Sequence, residues 1–237
     1  MLGPLLFLVY INDLDVDIVN SILKFADDTK IFGPVSDLAQ HHQLQDDLNT
    51  LPQWSKDWQM LFHVDKCKVM HFGHNNLKMD YSLDNKTLQK VHQEKDLGVI
   101  ISDDMKSSHQ CIQAYSKANK MLGVINRAIV YKSKELSHAE LTVYKTPVRP
   151  HLEYCTVAWS PHYVKDKVLL ERVQRRFTRM VPDLKELSYP DRFKKLDLWS
   201  LEERRVRTDL IEVYKGIHEL SALPFDDLFE FDISGRT

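Results

Sequence analysis

The chain has 237 residues, 43% hydrophobic and 28% charged, with a formal net charge of −2. That composition belongs to a folded globular protein with ample core, and it excludes a disordered or low-complexity chain. Only 7 glycines are present, so long helices fit better than an all-β fold rich in tight turns. The charge is uneven. Residues 1–104 carry 9 Lys and Arg against 16 Asp and Glu, residues 105–215 carry 22 against 13, and residues 216–237 carry 1 against 5. A basic rear half points to a polyanionic partner. Cys67, Cys111 and Cys155 have no CxxC spacing and read as free thiols in a reducing compartment. Cys67, His71 and His74 fall short of the four ligands that a structural zinc site needs.

In chain order, "MLGPLLFLVYINDLD" comes first. Pro4 suits a first helical turn, and the apolar run predicts a helix buried on nearly all sides. It is too short to span a bilayer, and it lacks the basic leader and cleavage site of a secretory signal. "KFADDTKI" follows, with two acids between short apolar runs that read as the strands of a hairpin. Adjacent Asp residues are ordinary in a solvated turn. The alternative, which only the wider sequence can decide, is a metal site, because carboxylates about 5 Å apart repel by about 3 kcal/mol at an effective dielectric near 20, and a divalent cation removes that cost.

A long amphipathic helix then opens at Ser36-Asp37, with Asp37 and Gln40 at capping-box spacing. Its apolar stripe is Leu44, Leu48, Leu51, Trp54, Trp58 and Leu61, and Pro52 predicts a kink within it. "KCKVMHFG" reads as a strand, "YSLDNKTL" as a hairpin around Asp84-Asn85, and "KDLGVIIS" as one buried strand with a bulge or close approach at Gly98.

From Met105 the pattern is helical. Ile112, Leu122, Ile125 and Ile129 mark one face of the first helix, and Lys117, Lys120 and Arg127 another. A second helix is expected over about 134–146, ending at Pro147. The next, about 166–181, buries Leu169, Val173, Phe177 and Met180 and presents Arg172, Arg175, Arg176 and Arg179. The last starts at the capping box Ser200…Glu203 and carries a stripe of Val206, Leu210, Val213, Ile217 and Leu220.

The order of "LGPLLFLVYINDL", "FADDTKI", "LQDDLNTLPQWSKDWQM", "DKCKVMHFG" and "DLGVIISDDMK" resembles the second half of a reverse transcriptase palm, and "ANKMLGVINR", "VRPHLEYC", "LERVQRRFTRM" and "SLEERRVRTDLIEVYK" resemble the thumb and post-thumb region. The similarity is to non-LTR (LINE-type) retrotransposons of the jockey-like and chicken-repeat-like branch, and it runs collinearly along essentially the whole chain. It implies an α/β (α+β) fold: a partial right-hand polymerase palm over 1–104, then an all-α thumb and C-terminal helical region over 105–237. The implied activity is RNA-directed DNA polymerisation by two-metal nucleotidyl transfer. Asp27 and Asp28 would then be catalytic and hold Mg²⁺, two ions in the intact enzyme, and Lys66 would sit near the incoming triphosphate. Phe25, Leu97 and Gly98 would lie against the primer, and Lys117, Lys120, Arg127, Arg172, Arg175, Arg176 and Arg179 would hold nucleic acid. The implied partners are an RNA template, a DNA primer and dNTP, with no membrane. The implied location is intracellular, nuclear or cytoplasmic, and not secreted.

The sequence also departs from the family. The fingers, the strand bearing the remaining catalytic Asp and most of the Gln-Gly loop have no counterpart. His63 stands where relatives tend to have Asn, and Thr146-Pro147 breaks a polar-then-Leu pattern. The expectation is that the isolated chain is inactive as a polymerase. The alternative is a non-catalytic nucleic-acid-binding relic or co-opted module.

Overall fold

The computed structural model describes residues 2–128, 138–181, 184–221 and 225–230. They form two compact units, Met1–Glu94 with Ser102–Met105, and Lys95–Ile101 with Lys106–Thr237. Segment 95–101 thus groups with the helical unit. Ile129, the first residues of the helix expected over 134–146, and Pro182 lie outside the described residues.

The first unit begins with α1 (Leu2–Tyr10) and a 3-10 turn, Asn12–Asp15. Helix α1 forms as expected but is not buried: Leu2 is 68% exposed, Val9 76%, and none of its residues is in the core. An apolar run sets where a helix forms, but burial needs a neighbouring element to cover it, and only Phe7 reaches the core cluster. That cluster gathers Ile11, Leu14, Leu51, Tyr81, Leu83 and Leu88, with Ile22, Ile31, Leu44, Leu48 and Trp54 at its edge.

Strands β1 (Ser21–Phe25) and β2 (Asp28–Phe32) pair antiparallel. Helix α2 (Leu38–Asp57) runs unbroken through Pro52. Asp37 caps it by accepting from the Gln40 N–H at 2.8 Å, while the Gln40 side chain returns to the Ser36 N–H rather than to the Asp37 N–H. The expected stripe holds through Trp54. It fails at Leu61, which lies beyond the helix end and is 85% exposed. Then come β3 (Lys68–Val69), β4 (Ser82–Leu83), β5 (Lys86–Thr87) and β6 (Gln89–Lys90). The Asp84-Asn85 hairpin is confirmed, with φ of 50° and 60° as a type I′ turn requires. "KDLGVIIS" is not one strand. It is β7 (Gln93–Asp96) and β8 (Val99–Ser102) around a turn at Leu97 (φ 42°) and Gly98 (φ 92°). Two successive positive φ values reverse the chain where the sequence pattern suggested only a bulge. Every sheet among the described residues is a two-stranded ribbon.

The second unit is built on α3 (Ser108–Ala128), α4 (His138–Lys145), the single turns α5 (Pro150–Glu153) and α6 (Thr156–Trp159), then α7 (Val164–Met180), α8 (Tyr189–Leu196) and α9 (Leu201–Ile217). Helix α3 buries Cys111, Ala114, Ala118, Leu122 and Ile125, not Ile112, which is 52% exposed. The small residues at 111, 114 and 118 let α7 approach closely, which sets the buried face one position from the larger Ile112. Burial pushes the Cys111 thiol up to about 11, so it is an inert core residue. On α7 the buried set is Asp166, Leu170, Val173, Gln174, Phe177 and Thr178, with Leu169 only half-buried. Phe177 stacks on Tyr144 with centroids 4.2 Å apart. Val181, Leu184, Leu196 and Leu198 form a second small cluster.

The Ser200…Glu203 capping box is present in both directions, with Glu203 accepting from the Ser200 N–H at 2.7 Å. The apolar stripe of α9 is nonetheless outside the core: Val206 is 52% exposed, Leu210 65% and Leu220 67%. Helix α9 rests on α6 and α7 through the face that carries Leu201 and Arg205. Leu210→Ala is therefore expected to change stability by less than about 0.5 kcal/mol, as for an uncovered site. A urea-unfolding loss of about 2 kcal/mol or more would restore the buried reading.

Candidate functional site

The hairpin register sets the two acids. Phe25 opposes Asp28, so the chain reverses over Ala26 and Asp27. Ala26 takes φ 51°, a left-handed angle that costs a non-glycine residue about 1 kcal/mol. Residues opposite one another share a face, so Leu23, Phe25, Phe32 and Asp28 lie on one side of the ribbon and Ile22 and Ile31 on the other. The Ile22–Ile31 side packs on the core cluster. The other side is open: Phe25 is 62% exposed, and Asp27 and Asp28 are both exposed. Neither acid has a hydrogen bond or ion pair among the described residues.

The base of the hairpin is clamped to α2. Asp47, 1% exposed, accepts from the Val19 N–H at 3.1 Å, the Asn20 N–H at 2.8 Å, Asn20 Nδ2 at 2.8 Å and Gln43 Nε2 at 3.2 Å. Burial alone would raise its pKa, but these bonds outweigh it and hold the carboxyl below its ordinary range. The Asn20 amide thus fixed lies over Gly33, where a Cβ would fall 1.9 Å from Asn20 Oδ1, so this end of β2 needs glycine. Lys24 turns away from the acids, donating to the Asn12 carbonyl at 2.8 Å and pairing with Asp15 at 3.0 Å. The result is a ribbon fixed at its base that projects two uncompensated carboxylates into solvent. Sequence reasoning missed Asp47, although an acid in phase with Leu44, Leu48 and Leu51 signals a buried polar group in need of partners.

Lys66 is exposed in the 3-10 turn Val64–Lys66, without a partner among the described residues and with no bond to either acid. Adjacent Asp65 pairs with Lys86. Cys67 Sγ bonds the His63 carbonyl, and no group of three or more His, Cys, Asp or Glu among the described residues could hold a metal. Asp27 and Asp28 fit part of the shell of one hard cation, which typically takes one or two carboxylates and completes its shell with water and phosphate oxygens.

In the second unit, Gly98 and Lys117 line one cleft, together with residues of α3 and α5. Leu97 presents its carbonyl to the Tyr154 hydroxyl at 2.9 Å, and its own side chain is exposed. The basic positions lie on packed helices α3 and α7. Lys120, Arg127, Arg172 and Arg179 are exposed and unpaired among the described residues. Arg175 stacks over Tyr189 at 4.8 Å, and Arg176 donates to Asn119 at 2.6 Å, so two of the four arginines are partly committed to the fold. Among the described residues no helix is long and apolar enough to cross a membrane.

The first unit thus presents an exposed acid pair on a fixed ribbon, and the second presents exposed cations on packed helices. Among known proteins, the chain is 22% identical over 192 residues to the RNA-directed DNA polymerase from mobile element jockey of Drosophila melanogaster, covering 75% of this chain and 21% of that protein. The chain thus spans about a fifth of the length of the curated relative it matches. No family model matches it, and no solved structure does. The match supports a reverse-transcriptase-like relationship.

Proposed function

We propose that these residues are part of an RNA-directed DNA polymerase of a non-LTR retrotransposon, with residues 1–104 as partial palm and 105–237 as thumb and post-thumb. The observation that carries this reading is the Asp27-Asp28 pair, exposed and uncompensated at the tip of a clamped hairpin, in a chain whose motif order and similarity point the same way. Mg²⁺ bound at these acids would supply Lewis-acid activation of the primer hydroxyl and charge stabilisation for the leaving pyrophosphate. Asp27 and Asp28 would hold metal, Lys66 would neutralise triphosphate charge, and Phe25, Leu97 and Gly98 would lie along the primer. The basic faces of α3 and α7 would hold an RNA–DNA duplex by its phosphates.

Two carboxylates are too few to place two ions, so the 237-residue chain by itself is expected not to extend a primer on an RNA template with Mg²⁺ and dNTP. Robust incorporation lost in Asp27→Ala would overturn the inactivity and keep the acids catalytic. The metal role has its own test. Mn²⁺ is expected to broaden the amide signals around Ala26–Thr29 first, and Asp27→Asn with Asp28→Asn to remove that effect. Equal broadening at every surface acid would sink it.

A second reading, a non-catalytic nucleic-acid-binding module, is favoured by the unpaired Lys120, Arg127, Arg172 and Arg179. It predicts duplex binding that survives Asp27→Ala and, for about four phosphate contacts, falls about a hundredfold between about 50 and 200 mM salt. Absence of binding at low salt removes this reading.

A further inference from the structure

We propose that the cleft between the Leu97-Gly98 turn, α3 and α5 is an oxyanion site that takes a single phosphate group. It lies wholly within the second unit and has a volume of about 230 Å³. That exceeds what a single bound water needs and is below the usual size of a drug-like pocket.

The hydrogen bonds around the cleft decide what it can recognise. Gln110 accepts from the Ile100 N–H at 2.9 Å, and a backbone N–H can meet only the amide oxygen. Its Nε2 is therefore the free end, and Nε2 only donates. Gln113 accepts from Lys117 Nζ at 3.1 Å, so its oxygen is likewise engaged and its Nε2 is free to donate. The Lys117 ammonium keeps further N–H groups and faces no carboxylate among the described residues. His151 also lines the cleft, and its ring is without a partner among the described residues.

No Asp or Glu lines the cleft. Gly98 and Ala114 contribute almost no side chain, which leaves backbone-depth access. Tyr154 holds that opening: its hydroxyl donates to the Leu97 carbonyl, and a Cβ at Gly98 would fall 3.1 Å from its ring. Two amide donors, an ammonium and an imidazole outnumber the two oxygens of a carboxylate. They match the three or four acceptor oxygens of a phosphate. The donor set carries this site independently of the polymerase reading, and inorganic phosphate tests it without nucleic acid.

The test is a ¹H–¹⁵N and ¹H–¹³C titration of the full chain with inorganic phosphate, then with an RNA–DNA duplex, each against chloride at equal ionic strength. The side-chain amides of Gln110 and Gln113 and the His151 ring are expected to shift saturably. Lys117→Gln and Gln113→Glu are expected to weaken that binding at least about tenfold, by removing the charge or planting a repelling carboxylate. Lys117 is exposed and Gln113 half-buried on α3, and circular dichroism verifies the fold of both variants. Saturation by inorganic phosphate identifies a free-ion site, and saturation by the duplex alone identifies a site for a backbone phosphate. No shift beyond chloride with either probe, or equal affinity in both variants, overturns the proposal.

Discussion

Asp47→Ala is expected to destabilise the first unit by about 3 kcal/mol and to loosen the acid-bearing hairpin. The carboxylate is the acceptor for the Val19 N–H, the Asn20 N–H and the Asn20 side chain, and removing it leaves these donors unsatisfied in a site 1% exposed. Each buried unmet donor costs about 1–3 kcal/mol, and partial rehydration at the hairpin base lowers the sum. Among the described residues the hairpin has no other lateral partner in its sheet, so the loss should reach the tip. Hydrogen exchange at Ile22–Ile31 should accelerate in step with the drop in urea midpoint.

The same group sets a pH dependence. Its folded pKa lies below the ordinary 3.8, so the native state binds fewer protons than the unfolded state as pH falls through that region. The stabilisation is complete above about 3.8 and is lost as pH drops through the lower folded value. The difference between wild-type and Asp47→Asn stability profiles isolates it. Parallel profiles down to about pH 2 would show that Asp47 contributes no ionic stabilisation.

Gln174→Ala is expected to cost the second unit about 3–5 kcal/mol, the range of a cavity combined with broken buried hydrogen bonds. Gln174 is fully buried on α7, accepts from the Tyr144 hydroxyl at 2.8 Å and donates to the Trp199 carbonyl at 2.9 Å. One side chain thereby ties α4 and the segment before α9 to α7. Beside it Glu171, its pKa raised by burial, accepts from the Tyr189 hydroxyl and from the Leu201 N–H at 3.1 Å. Tyr144→Phe removes one bond and leaves the packing, so it should cost about 1 kcal/mol. Equal losses for the two variants in urea unfolding would show that the Trp199 bond and the cavity contribute little.

Local features were legible in the sequence because their causes are local. Asp37 and Ser200 cap α2 and α9 because a short oxygen-bearing side chain can reach an N–H three residues on. The Asp84-Asn85 turn forms because those residues tolerate positive φ. A hairpin at the paired acids was readable from their place between two apolar runs, although the reversal itself falls one residue earlier, over Ala26 and Asp27. The Leu97-Gly98 turn was missed because "KDLGVIIS" is apolar enough to pass for one strand, and Leu97 gives no warning of φ 42°. The Arg172–Arg179 stripe on α7 emerged from spacing alone, but the pairing of Arg176 with Asn119 and the stacking of Arg175 on Tyr189 did not.

The sequence by itself determined that α1, α2, α3, α7 and α9 are helical, where α2 and α9 are capped and where the paired acids fall, but not the short helices α5, α6 and α8. Tertiary structure alone decided which helix faces are covered. Periodicity aligns Val206, Leu210, Val213, Ile217 and Leu220, yet burial is a property of two surfaces, and α9 offers its Leu201–Arg205 side to α6 and α7. It also decided which distant polar groups meet. Asp47 reaches Asn20 across 27 positions, and one cleft joins Gly98 to His151 and Tyr154. Contacts of that range depend on how elements pack, and packing is set by the whole set of surfaces rather than by any one segment.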